Sequence, residues 1–309
     1  MTDAVAQWKS YRYDGTDVLI NKPGIRDARE LRSFEEGAAY LRGVQLARAP
    51  ITGQFDLRHL QQIHEQLHQD TFDWAGRLRD TPWSRSSAAA GVDQIVASAG
   101  KVHQTIRDAN RLRDLSKSDF VEKFAVVYSE LLAIRPFQEG NERTARAFCS
   151  QLATQAGYML DLRRLDEEKV RWATANAGAE RGELQDLRAM LTEAVRPAAS
   201  VAFEILPKDE ALAQHPGLIG AYEVLDRQAA DIEARYKDNA KAIDHFMVRA
   251  RAEVVRALDT GAAVRPLLLI DRERAEEAMA LAKYGFLQQV QRRYPTRMPS
   301  PLPKAPTAR

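Results

Sequence analysis

A single cysteine, Cys149, among 309 residues excludes an internal disulfide and any zinc site built on thiolates. Long apolar runs are missing too, since no stretch approaches the roughly 18 consecutive apolar residues of a spanning helix. The first residues, Met1 to Ala4, carry no basic flank ahead of an apolar core. A cytoplasmic chain without a membrane partner is the expectation. Neither sign of charge dominates, with 45 Lys and Arg against 43 Asp and Glu, so no nucleic-acid partner is expected. Period-two alternation is scarce. What is present, 45% hydrophobic and 28% charged residues, is the composition of a globular protein. The length suits one full-sized domain and a smaller one.

Helical periodicity begins at Asp27 and is interrupted at Pro50–Gly53, Asp80–Gly91, Leu115–Lys117, Pro136–Gly140 and Pro197. The clearest helix spans about Ser118 to Ala133: Asp119 can cap it, and Phe120, Phe124, Val127, Leu131 and Ile134 recur at four-three-four-three spacing. Pro136 cannot continue that helix and disfavours a helical Arg135. A second helix is expected from Asn141 towards Gly157, and others at Leu165–Asn176 and Glu183–Val195. A domain boundary is placed near Arg196, giving a first domain at 1–196 and a smaller helical unit at 197–290. In that unit the pattern reads as a helix from Leu218 to about Leu258, a strand at Pro266–Ile270 and a helix from Arg272 to about Tyr294. Residues 291–309 are basic and proline-rich, and an extended tail is expected there.

Between the two clearest helices, the stretch from Arg135 to Arg146 has the parts of a phosphate site. Gly140 permits a steep backbone turn, Asn141 opens a helix whose free N–H groups attract anions, and Arg143 and Arg146 share one helix face. Two guanidinium groups can grip phosphate oxygens bidentately. Glu139, just before the glycine, suits Mg²⁺ shared with a phosphate ligand. The plain alternative is a helix-loop-helix whose glutamates and arginines form solvated ion pairs.

The stretch resembles the Fic family motif, His-x-Phe-x-Asp/Glu-Gly-Asn-Gly-Arg-x-x-Arg, with matches at Phe137, Glu139, Gly140, Asn141, Arg143 and Arg146. Asn21-Lys22-Pro23-Gly24-Ile25 and the segment from Phe72 to Arg79 are similar to further family signatures, so the resemblance covers roughly residues 8 to 196. It implies an all-α helical bundle with a short β-hairpin flap and transfer of AMP from ATP to a protein Ser, Thr or Tyr hydroxyl. It further implies Mg²⁺ on Glu139, an anion hole at Gly140 and Asn141, polyphosphate held by Arg143 and Arg146, and Phe137 as the buried anchor of the loop. The flap would dock a target protein by backbone pairing at Thr81, Pro82, Trp83 and Ser84, although Pro82 lacks one donor. A small antitoxin-like inhibitor is the kind of partner the family implies, and relatives that travel through type IV secretion have basic tails.

Two motif positions depart from the family. Arg135 stands where the histidine base belongs and stays protonated at physiological pH. Loss of a positioned base costs about 10² to 10⁴ in rate. Glu142 replaces the second glycine, and it can either pair with Arg143 or Arg146 to inhibit the site or lie on the solvent face of the first turn. A weakened transferase and a non-catalytic nucleotide- or protein-binding pseudoenzyme both follow from these departures. His64 and His68, four residues apart, lack a third zinc ligand. Ser33-Phe34-Glu35-Glu36-Gly37 is one residue too short for the family's inhibitory helix, so Glu35 and Glu36 are expected on a wet face. Cys149 reads as a core thiol, and His103 is a conceivable substitute base.

Overall fold

A computed structural model of the chain describes residues 10–81 and 91–260, except for the side chains of 162–164. Pro82, Trp83 and Ser84 of the expected flap lie outside the described residues. So do the strand expected at 266–270, the helix expected from Arg272 and the tail at 291–309.

Among the described residues the fold is helical. Asp27 accepts hydrogen bonds from the N–H groups of Arg29 and Glu30 and so starts α1 (Ala28–Arg48). Asp56 caps α2 (Leu57–His68) through His59 N–H, and this helix buries His59, Leu60, Ile63, His64, Leu67 and His68. Then come α3 (Ile95–Asp108), α4 (Lys117–Ile134), α5 (Asn141–Gln155), α6 (Leu162–Glu167), α7 (Lys169–Ala179) and α8 (Gln185–Ala194). The apolar stripe expected on α4 is buried at all five positions. Pro136 ends that helix, and Arg135 leaves it with a left-handed backbone of φ 42°.

The chain divides into two compact units that alternate along the sequence: 1–112, 122–153 and 163–191 form the first, and 113–121, 154–162 and 192 onward the second. The boundary expected near Arg196 thus lies inside the second unit. The physical reason is a short antiparallel sheet, β1 (Tyr158–Leu160) with β2 (Val195–Pro197), which ties residues after Gly157 to those around Arg196. Three-residue strands carry too little alternation to stand out in a helical sequence. This two-stranded sheet is therefore distinct from the expected flap.

In the first unit Asn21, buried at a turn, donates to Leu19 O and Ile25 O and accepts from Ile25 N–H. Lys22 N–H donates to Thr71 O at 2.8 Å, and Val18, Leu19, Leu31, Phe72 and Trp74 pack together around this turn. The Asn-Lys-x-Gly-Ile signature is thus a structural clamp that brings the start of the chain against the end of α2. Cys149 is buried, and burial pushes its thiol well above its ordinary pKa, as a core role requires.

The second unit adds α9 (Ala198–Ile205), α10 (Lys208–Gln214), α11 (Ile219–Arg235) and α12 (Ala240–Asp259) around Phe203, Tyr222, Leu225, Val254 and Leu258. The long helix expected at 218–258 is two helices, because Asn239 caps a new start through Ala242 N–H. Likewise the helix expected at 165–176 is divided between α6 and α7.

Candidate functional site

The loop begins where α4 stops. Arg79, only 2% exposed, donates to Arg135 O at 2.6 Å, to Ile134 O at 3.3 Å and to Thr81 O at 2.9 Å, while its own N–H bonds Pro136 O. Several orphan carbonyls at a helix end are thereby satisfied by one cation, which the helix dipole also favours. This grip holds Arg135 in its left-handed turn. Thr81 is buried as well and donates to the Gln138 side chain at 2.9 Å, so its hydroxyl braces the loop and its carbonyl is already taken by Arg79.

Closure of the loop is the work of Asn141. Its side-chain oxygen accepts from Phe137 N–H at 2.8 Å and its amide donates to Phe137 O at 2.8 Å, so one side chain replaces a missing turn of backbone bonding. Gly140 turns with φ 73°, and a Cβ there would meet the His68 Nε2 at 2.2 Å. Only glycine fits both demands.

Below the loop, His64 is buried and stacked on Phe137 with ring centres 3.8 Å apart. Gly76 N–H donates to its Nδ1 at 2.8 Å, so Nε2 carries the proton and donates to Glu139 O at 3.1 Å. Burial drops the pKa of this imidazole to about 4, and it serves as a neutral post. His68 stacks on it at 4.7 Å. Among the described residues no group of three or more His, Cys, Asp or Glu side chains is placed to hold a metal ion.

The loop, the start of α5 and the side of α1 enclose a cavity of about 570 Å³, lined by Glu35, Glu139, Gly140, Asn141, Arg143 and Arg146 among others. The N–H groups of Asn141, Glu142 and Arg143 open α5 and have no carbonyl one turn earlier to bond. Gly140 N–H is held by the carboxylate of Glu139 at 3.0 Å. Arg143 pairs with Glu35 at 2.7 Å and Arg146 with Asp166 at 2.8 Å. Glu35, only 15% exposed at its side chain, is therefore turned into the cavity, which corrects the wet-face expectation. Desolvation raises its pKa, and Arg143 opposes that rise. Glu36 beside it is exposed as expected, although it too borders the cavity.

Glu142 lies exposed in the first turn of α5, the second of the two placements expected for it. Its carboxylate accepts from the Trp172 indole N–H at 3.0 Å, so the carboxylate on Arg143 is that of Glu35. Arg135 ion-pairs with Glu180, at the end of α7. Both departures from the motif thus reach toward one helix, at Trp172 and just past its last turn. His103 bonds Phe55 O through Nδ1 and does not line the cavity.

The donor set fits a polyphosphate with Mg²⁺. Two arginines and an open helix N-terminus face one concavity, and a single carboxylate, Glu139, is what an ion held chiefly by phosphate oxygens and water requires. Glu35 and Glu139 currently occupy donors that an anion would use. A ligand must displace them.

Fold and site together define a helical domain with a glycine-containing loop between two helices that lines a cavity. Residues 54–153 match the Fic/DOC family model. The chain is 32% identical over 195 residues to the probable protein adenylyltransferase Fic of Escherichia coli, covering 61% of this chain and 92% of that one. It therefore belongs to the Fic/DOC family. It is also 35% identical over 181 residues to the protein adenylyltransferase VbhT of Bartonella schoenbuchensis, a match over 58% of this chain that spans only 38% of VbhT. Among solved structures, the Bartonella tribocorum effector BepC with bound AMPPNP superposes with a TM-score of 0.57 at 29% identity, covering 61% of this chain and 97% of that one. The Fic domain of a Bartonella quintana effector with bound ADP gives 0.57 at 28% identity, covering 61% and 95%.

Several residues that shape the site carried little sequence signal. His64 and His68 stood out as a pair, for which a zinc site was weighed and set aside in favour of a packing helix, but no role beneath the loop was read for them. Arg79 closed a recognised segment without a role, and Glu180 and Trp172 lie too far along the chain for spacing to link them to the loop.

Two outcomes follow. Gly140→Ala should destabilise the protein by about 2 kcal/mol or more, through left-handed strain and a clash with buried His68; an unchanged melting temperature contradicts the packing described. Because the folded pKa of His64 lies below its unfolded 6.5, its stabilising neutral form is fully present above 6.5 and is lost as pH falls towards 4. The loss should reach on the order of 3 kcal/mol, and denaturant unfolding at pH 4.5 and 7.5 checks it. A flat profile contradicts the buried, neutral imidazole.

Proposed function

We propose that this chain binds ATP with Mg²⁺ in the cavity beside the loop and transfers AMP to a protein Ser, Thr or Tyr hydroxyl at a severely reduced rate or not at all. Arg143, Arg146 and the N–H groups opening α5 hold the phosphates, and Glu139 holds the ion, which supplies charge neutralisation when bound. In the family reaction a hydroxyl oxygen bonds the α-phosphorus, the bond to the β-phosphate oxygen breaks and pyrophosphate leaves. The hydroxyl proton needs an acceptor. Arg135 has no lone pair to offer at physiological pH, and it ion-pairs with Glu180. A deficit of about 10² to 10⁴ relative to a histidine-bearing loop follows.

The observation that carries this reading is the combination at one loop: the cradle keeps its closing amide, its glycine and both arginines, while a permanent cation stands at the base position. The names of the relatives, protein adenylyltransferases, and the AMPPNP and ADP in the Bartonella structures support the ligand class.

A second reading, a non-catalytic nucleotide- or protein-binding module, is favoured by one observation. Both altered positions have found partners, Arg135 on Glu180 and Glu142 on Trp172, as in a loop adapted to stay still. The target protein would meet the flap next to Thr81, and the mouth of the cavity along α1 is where an antitoxin-like inhibitor would act. The Bartonella neighbours are described as VirB-translocated effectors. Deletion of the basic end at 291–309 is the corresponding test of translocation for this chain.

Incubation of the protein with labelled ATP, Mg²⁺ and cell lysate, beside Arg135→His/Glu142→Gly, decides between the readings. Weak or absent label transfer by the unaltered chain and strong transfer by the double variant are expected. Rapid transfer by the unaltered chain contradicts the impairment, and no transfer by the double variant favours the non-catalytic module.

A further inference from the structure

Glu35 lines the cavity, and His68 lies buried behind it. The Glu35 carboxylate lies 2.7 Å from the Arg143 guanidinium and 3.7 Å from His68 Nδ1. His68 is fully buried, and neither ring nitrogen has a hydrogen-bond partner among the described residues. An imidazole with both nitrogens unsatisfied in a packed interior is costly to the fold. Such a group, aimed at a carboxylate that is itself on loan to an arginine, marks a place where a proton can be received.

We propose that binding of a nucleotide phosphate on Arg143 is coupled to uptake of one proton by the Glu35–His68 pair. This rests on the reading of the cavity as a nucleotide site. A phosphate that takes Arg143 must displace Glu35, the residue now bonded there. The displaced carboxylate then faces the anionic ligand in a wall that also includes Asp17, Glu36, Glu139 and Glu142. Two like charges a few ångströms apart at partial burial disfavour the ionised form. The charges and titratable groups around the pair act on its two members differently. Arg143, on α5, now lowers the proton affinity of both Glu35 and His68, and a phosphate on it cancels that effect. Glu36 on α1 and Glu139 in the loop favour a protonated Glu35. His64, on α2, opposes a charge on His68 but is itself neutral, with its Nδ1 occupied by Gly76 N–H. Desolvation penalises His68⁺ alone but penalises a neutral His68⁺–Glu35⁻ pair far less. The proton can therefore reside on either member; the pair, not one residue, is the acceptor.

Titration calorimetry with ADP as probe, without added metal, tests this in buffers of different ionisation enthalpy at pH 7. About one proton taken up per ADP is expected for the unaltered chain and close to none for Glu35→Gln, which keeps the size of the side chain. As an independent readout, the Kd for ADP should rise about tenfold per pH unit across the window of uptake, and should be nearly flat for the variant. Binding with no proton uptake overturns the coupling and leaves the nucleotide site standing. Equal uptake by Glu35→Gln overturns it also, since the proton then goes elsewhere. Absence of any ADP binding, by heat and by displacement of a fluorescent nucleotide, removes the nucleotide site and the coupling with it.

Discussion

The side-chain amide of Asn141 spans the loop and bonds both backbone groups of Phe137, and the rest of the site depends on that closure. Because the amide is at once donor and acceptor, it fixes Phe137 in one orientation, with its ring on the neutral imidazole of His64. That imidazole is pinned between Gly76 N–H and Glu139 O, so the floor of the loop and the loop itself share hydrogen bonds. The arginines project into the cavity only because the helix carrying them starts at this closure. The loop is thus shaped by contacts that make no use of the side chains at 135 and 142. This explains how the two departures from the motif coexist with an intact cradle.

Three arginines of the loop and of α5 each have an internal carboxylate in the structure: Arg143 has Glu35, Arg146 has Asp166 and Arg135 has Glu180. Half-exposed ion pairs of this kind contribute little to stability, on the order of 0–1 kcal/mol each, so they are available for exchange. An incoming polyphosphate brings more negative charge to Arg143 and Arg146 than the carboxylates it displaces. Arg135 is different, because its backbone is held by the buried Arg79 as well as its side chain by Glu180. Its position is set by two independent attachments.

Much of this was legible in the sequence, for local reasons. The stripe on α4, the stop before Pro136, the start of α5 at Asn141 and the left-handed Gly140 follow from periodicity and turn chemistry within a dozen residues. The motif residues Phe137, Gly140, Asn141, Arg143 and Arg146 lie together at the loop and the start of α5 as their spacing suggests. What escaped was long-range. The pairing of Glu35 with Arg143 joins residues more than a hundred positions apart, and the i, i+4 spacing of His64 and His68 does not reveal that His64 stacks on Phe137. The sheet of β1 with β2 escaped because three residues cannot display a period of two, and the break at 236–239 because a capping asparagine is a weak mark inside a long helical pattern.

The central claim is that the closed loop still cups a nucleotide without a base at its head. Equilibrium binding of ATP with Mg²⁺ to the protein and to Asn141→Ala, with circular dichroism confirming that both are folded, addresses it directly. Saturable binding by the unaltered chain, weakened at least tenfold when the closing amide is removed, is the predicted result. Equal affinity in the two proteins, or no binding in either, would contradict the account.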